Sequence, residues 1–243
     1  MTMTVNEHPS ERALHIATRP VGLFRAAAAI AWKDLRTELR SKETISAMFV
    51  FALLAILIFS FALEFSRSGR QASAAGVLWV TLIFAGTLGL GHSLGREKDQ
   101  GCLDGLLLTP VDRSALYFGK LASNFVFMIV VAAVLLPPLT ILFDTSFFKL
   151  PIALALVLGI LGYAGVGTLI SSMSAYTRGR EVLLPILLLP IALSILIPAV
   201  RATRGLLEGV PLGELTTWFN LLLATNAIYI TLAYMLFDFV VEE

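Results

Sequence analysis

Charge is scarce in this 243-residue chain: Asp, Glu, Lys and Arg make up 14%, against 57% hydrophobic residues. With a mean hydropathy of +0.85, the composition excludes an ordinary soluble domain, whose surface needs more polar residues than this. Cysteine is almost missing. The single residue, Cys102, excludes an internal disulfide. That lone thiol and three histidines supply no Cys/His cluster with zinc spacing. There is no Gly-x-x-x-x-Gly-Lys-Ser/Thr loop to cradle the phosphates of ATP, and no nucleophile stands beside an obvious base and orienting group. The chain is therefore read as no enzyme, holding no metal, with no cofactor assigned to its own residues. A net charge of +1 gives no polyanion signal, so nucleic acid is not expected as a partner. The first residues, Met1 through Pro20, lack an apolar h-region, so no secretory signal peptide is read there. Residues 1–21 are expected to form a flexible cytoplasmic tail.

What the chain has instead is long apolar runs. Crossing a hydrocarbon layer about 30 Å thick takes roughly 20 apolar residues at about 1.5 Å rise per helical residue. Six segments qualify: 44–63, 74–94, 121–143, 151–173, 182–200 and 217–237. Backbone groups in lipid must be satisfied within the segment, so continuous runs of this kind are helices. The expected class is all-α, a polytopic membrane protein with a six-helix transmembrane domain over 44–243.

Orientation follows from the basic residues. Thirteen of the 18 Lys and Arg residues lie before the first span, between the second and third, or between the fourth and fifth. Arg67, Arg70, Lys149, Arg201 and Arg204 are the five in the alternate connections. A Lys/Arg excess marks cytoplasmic segments, which places both termini and the 95–120 loop in the cytoplasm. Ahead of the first span, 22–43 has the pattern of an interfacial amphipathic helix. Phe24, Ala28, Ala31, Trp32, Leu35 and Leu39 fall on one side, beside a stripe of Arg25, Lys33, Arg36 and Arg40 suited to membrane lipid. Asp34 and Glu38 take the remaining face, expected to be solvated with Lys42 supporting Glu38 at i+4.

The 95–120 loop is the one polar stretch lodged between spans. From Asp99 a short helix places Leu103, Leu106 and Leu107 on one side, with Gly101 and Gly105 one turn apart leaving a strip open to close approach. Pro110 ends that pattern. Thr109 as N-cap, Pro110 at the first helical position and Asp112 three residues after Thr109 then launch the next helix into the third span. An amphipathic helix of this kind suits a groove on a partner. Sealing the loop against the bundle is the equally open alternative.

Pro185, Pro190 and Pro198 each remove a backbone donor from the fifth span, which is expected to be kinked or interrupted and is a candidate hinge; a static kink stays open beside it. Residues 201–216, with Gly205, Gly209, Pro211 and Gly213 among apolar residues, are expected to form an outer re-entrant or interfacial segment. Gly91 and Gly95, and Gly159, Gly162, Gly165 and Gly167, signal close helix approach, a second copy of the chain included. His92 is the only histidine inside a span. Heme iron accepts histidine, but with no second ligand His92 is read as a packed or solvated polar residue.

The sequence Gly101-Cys102-Leu103-Asp104-Gly105-Leu106-Leu107-Leu108-Thr109-Pro110, followed by Lys120, resembles the cytoplasmic loop of the heme exporter protein B (CcmB) family. The likeness continues through Arg180 to Pro190 and on through Pro198 to Arg204, and covers most of the chain after Phe24. It departs from the family at Gln100, Gly105 and the pair Asn124 and Phe125, the last standing where a His-Trp pair is common. The resemblance implies an ABC-2-like exporter permease of the bacterial inner membrane, in the system of cytochrome c maturation. It implies as partners a cytoplasmic ABC ATPase subunit (CcmA-like) binding ATP and Mg, a heme-handling membrane protein (CcmC-like), a small membrane protein (CcmD-like) and a periplasmic heme chaperone (CcmE-like). Heme would be handled by the complex. Asp99, Gly101, Leu103, Asp104, Leu106, Leu107, Leu108 and Pro110 would form the ATPase-coupling helix. The expected function is thus a non-catalytic subunit coupling ATP hydrolysis to heme delivery or to release of the heme-loaded chaperone. The alternatives are the permease subunit of another ABC-2 exporter, for lipid, glycan or drug, and a membrane scaffold whose loop binds no ATPase.

Overall fold

The structure, a computed structural model, describes residues 22–62, 67–99, 113–175, 177 and 179–240. Among them are seven helices and no strand: α1 (Leu23–Arg40), α2 (Lys42–Ala62), α3 (Arg67–Asp99), α4 (Arg113–Phe143), α5 (Leu150–Ala175), α6 (Arg180–Leu207) and α7 (Leu212–Val240). Helices α2 to α7 each carry a stretch long and apolar enough to cross a membrane. The all-α polytopic architecture is therefore present, with the six spans at the expected places and extended by a turn or more at several ends.

Two helices form the centre. The apolar stretches of α3 and α5 are each 72% buried within the protein, whereas those of α2, α4, α6 and α7 lie between 17% and 33% and leave broad apolar faces outward. Small residues explain this arrangement. A Cβ on Gly159 of α5 would overlap the indole ring of Trp79 on α3, and one on Gly162 would come within 2.8 Å of Asn226 Oδ1 on α7. The glycine-rich run of α5 thus serves contacts inside one chain, where loss of a side chain lets neighbouring helices approach. Several polar groups buried at these contacts are paired, whereas Asn226 Oδ1 beside Gly162 has no hydrogen-bond partner among the described residues. Trp79 Nε1 donates to Thr203 Oγ1 at 3.0 Å, Tyr163 Oη donates to the Ile83 carbonyl at 3.1 Å, and Ser171 Oγ donates to the Leu90 carbonyl at 3.1 Å.

Two expectations need correction. Of the two forms expected for the fifth span, kinked or interrupted, the interruption is absent, since α6 runs through Pro185, Pro190 and Pro198 as one helix. Each proline removes a single donor, and packing against α3, α5 and α7 keeps the helical path on both sides. Nor do residues 201–216 form an element of their own: 201–207 end α6 and 212–216 begin α7. The break is confined to the turn at Gly209, whose φ of 82° suits a residue without Cβ. There the Val210 amide bonds to the Gly205 carbonyl and the Glu208 amide to that of Arg204, a Schellman-type stop. Gly205 and Gly213 are helical. Gly205 is a packing position, where a Cβ would press on the Leu215 side chain across the hairpin.

Candidate functional site

Helix α4 is the first described element after the polar loop, and everything packed on its first turns gathers at one end of the bundle. Along this end α1 lies on α4, which is its main partner; its contact with α2 is slight. The contact is close. Ala26 and Ile30 are buried on α1, and a Cβ on Gly119 of α4 would come within 2.8 Å of Ile30 Cβ and 3.0 Å of the Ala27 carbonyl oxygen.

One turn along from Ile30, Asp34 continues the same face, and here the structure overturns the expectation of a solvated carboxylate. Asp34 Oδ2 lies 3.5 Å from Lys120 Nζ on α4, both side chains only 5% exposed, while Lys33 Nζ holds Oδ1 at 3.0 Å from the half-exposed side. An unpaired charge here would bear a desolvation penalty of several kcal/mol, so burial of Asp34 and of Lys120 is tenable because they neutralise each other. The missed signal is the row Ala26, Ile30, Asp34 at spacing four. A charge that completes a row of small apolar residues shares their burial if the facing helix brings an opposite charge.

Beside the ion pair sits an apolar cluster of Ile30, Leu116, Tyr117, Leu121, Leu169, Ala233 and Phe237, joining α1, α4, α5 and α7. Tyr117 anchors it. Its ring lies 5.3 Å from those of Phe118 and Phe237, and its hydroxyl donates to the Gly165 carbonyl at 3.4 Å. Phe118 in turn stacks on Tyr234 at 5.8 Å. Just beyond, Asn124 Nδ2 donates to Thr168 Oγ1 at 2.9 Å, which gives the Asn124 position a helix-bridging part in α4–α5 packing. The first turns of α4 thus contact three other helices.

On the outer face of α1, Phe24 and Trp32 are 87% and 68% exposed. Of the loop residues singled out by sequence, Asp99 ends α3. Gly101, Leu103, Asp104, Leu106, Leu107, Leu108 and Pro110, with the cap at Thr109 to Asp112, lie outside the described residues. Pro185, Pro190 and Pro198 are spread along α6, which contributes no residue to the loop-end cluster. His92 belongs to α3, its side chain outside those described.

The family model described as CcmB protein matches residues 25–242, all six spans and nearly all of α1 included. The chain belongs to the CcmB family. It is accordingly a membrane permease subunit of the heme exporter of cytochrome c maturation, a multi-pass inner-membrane component of an ABC transporter complex. Among curated proteins no match is found. Because the CcmB match begins inside α1, the docked helix and its contact with α4 fall within the family's own extent.

Proposed function

We propose that this CcmB chain is the non-catalytic element through which ATP hydrolysis in a CcmA-like partner is turned into helix rearrangement, serving heme delivery or release of the heme-loaded chaperone. One observation carries it: the polar loop at 100–112 leads directly into α4, and the first turns of α4 are the hub where α1, α5 and α7 meet. A push on the loop enters the bundle where α4 meets three other helices. Leu103, Leu106 and Leu107 are the side chains offered to the ATPase groove, with ATP and Mg held by that partner. CcmC-like, CcmD-like and CcmE-like proteins complete the assembly, and heme is its cargo or the cargo of its chaperone. Pro185, Pro190 and Pro198 make α6 the candidate flexing element, because each leaves one carbonyl without its helical donor. Both termini and the loop face the cytoplasm on the Lys/Arg distribution.

Replacing Leu103, Leu106 and Leu107 together with Ser tests the coupling. The variant should reach the membrane but lose co-purification of the ATPase and lose c-type cytochromes. Retention of both in folded protein would overturn the proposal. Cys102 reports the side of the loop: a membrane-impermeant maleimide should label it in inside-out vesicles and leave it unlabelled in right-side-out spheroplasts.

A further inference from the structure

Helix α1 is fastened to the bundle in an unexpected way. It precedes α2 in the chain, separated by the single non-helical residue Ser41 (φ −77°, ψ 83°), yet it packs chiefly on α4. Among the described residues its attachment includes backbone-close packing at Gly119, the apolar contacts of Ile30, and the buried pair of Asp34 and Lys120. The first two are non-directional and would permit sliding along the helix. The ion pair is directional, and sliding by one turn would leave two buried charges apart.

The neighbouring interface has the opposite character. Helices α2 and α4 flank an apolar cleft of about 130 Å³, between Met48 and Ala52 on one side and Phe127 and Val131 on the other. The described residues that line it are all apolar, and incomplete filling leaves room for repacking.

We infer that Asp34 and Lys120 lock α1 to α4 as one rigid body, so that displacement of α4 is carried through α1 and the Ser41 joint to α2, which shifts against α4 across the apolar cleft. Asp34 and Lys120 are thus positioning residues in the transmission path, acting through the helices that they join. The inference rests on the proposal that the loop before α4 receives the ATPase stroke. It adds that the helix lying along the membrane, carrying exposed Phe24 and Trp32, moves with α4. Motion put into the loop therefore reaches the lipid interface as well as the bundle.

Spin labels in the assembled complex test this, on a Cys102→Ser background, at the exposed positions Ala29 on α1, Val126 on α4 and Ile58 on α2. Distances are compared without nucleotide and after trapping with ATP and vanadate. The expected result is an Ala29–Val126 distance that stays fixed while Val126–Ile58 changes. A change in Ala29–Val126 that matches the change in Val126–Ile58 would overturn the lock and leave coupling through the loop intact. If neither distance changes, coupling through the loop fails, and the inference falls with it. Side-chain variants give a second readout. Asp34→Asn should raise the ATP hydrolysed per c-type cytochrome several-fold, and the reciprocal exchange Asp34→Lys with Lys120→Asp should restore part of that ratio. A merely structural pair would lower both quantities together, leaving the ratio unmoved, and that outcome also overturns the lock.

Discussion

Trp79 fills the space in which residue 159 would carry its side chain: the indole of α3 lies against the bare backbone of Gly159 on α5, and its Nε1 reaches past to Thr203 Oγ1 on α6. Three helices meet at one aromatic ring that is 1% exposed. The ring is rigid, held from one side by a backbone and from the other by a hydrogen bond, so it has nowhere to retreat.

Gly159→Ala should therefore destabilise the folded protein by about 1–3 kcal/mol, the range for overpacking a filled core. Gly167→Ala is the control. A Cβ there also meets a neighbour, but the atom is Cδ1 of Leu90, the end of a flexible side chain. A gain of up to about 1 kcal/mol in helix propensity offsets the strain. Thermal unfolding of the two variants in one detergent should place Gly159→Ala well below wild type and Gly167→Ala close to it. The reverse order would mean that Trp79 is not held as described.

Thr203→Val keeps the shape of the side chain and removes the acceptor of the Trp79 N–H. A buried donor left alone costs about 1–3 kcal/mol, whereas removing donor and acceptor together costs less than the separate losses suggest. The double variant Trp79→Phe with Thr203→Val should accordingly be less destabilised than the sum of the two single variants, by a coupling of about 1 kcal/mol in a double-mutant cycle.

The spans were legible because a hydrocarbon layer imposes a length and a composition that any window of sequence records. What lay hidden was which face of each helix meets protein. In α1, Phe24 and Trp32 lie on the face turned away from the bundle, where both are exposed. Asp34 looked solvated because a carboxylate carries no mark of a partner 86 residues away, and only the fold brings Lys120 to it. The 201–216 stretch misled for a related reason. Its glycines look alike in sequence, yet only Gly209 has positive φ, while Gly205 is a packing position opposite Leu215. Helix α6 shows the converse, since three prolines that read as breaks are absorbed in one continuous helix held by its neighbours. Of the site, the loop was visible as a polar interruption; the hub it feeds was not, because Tyr117, Leu169 and Phe237 are ordinary apolar residues until three helices place them together.

The two cations on Asp34 should be far from equal. Lys120→Met takes the buried cation from a buried carboxylate, and removal of one partner of a buried pair costs about 3–5 kcal/mol. Lys33 is 45% exposed at the side chain, where solvent screens the interaction, and Lys33→Gln should cost about 0–1 kcal/mol. Unfolding temperatures of the purified variants, or their steady-state amounts in membranes, decide this. Equal losses would show that Asp34 is not shielded from water.

Trp32 and Trp79 give an optical test of where α1 lies. The chain has three tryptophans. Trp32 is 68% exposed on the outer face of α1, whereas Trp79 is enclosed between α3, α5 and α6. Indole rings favour the headgroup level of a bilayer, being apolar in body with one N–H to hydrate. Single-tryptophan proteins in vesicles of lipids brominated high on the acyl chain should lose much of the Trp32 fluorescence and little of that from Trp79. Bromines deep in the chain should quench Trp32 less. If Trp32 escapes quenching at every depth and responds to iodide in the aqueous phase, α1 stands off the membrane, and its exposed Phe24 and Trp32 face a protein partner.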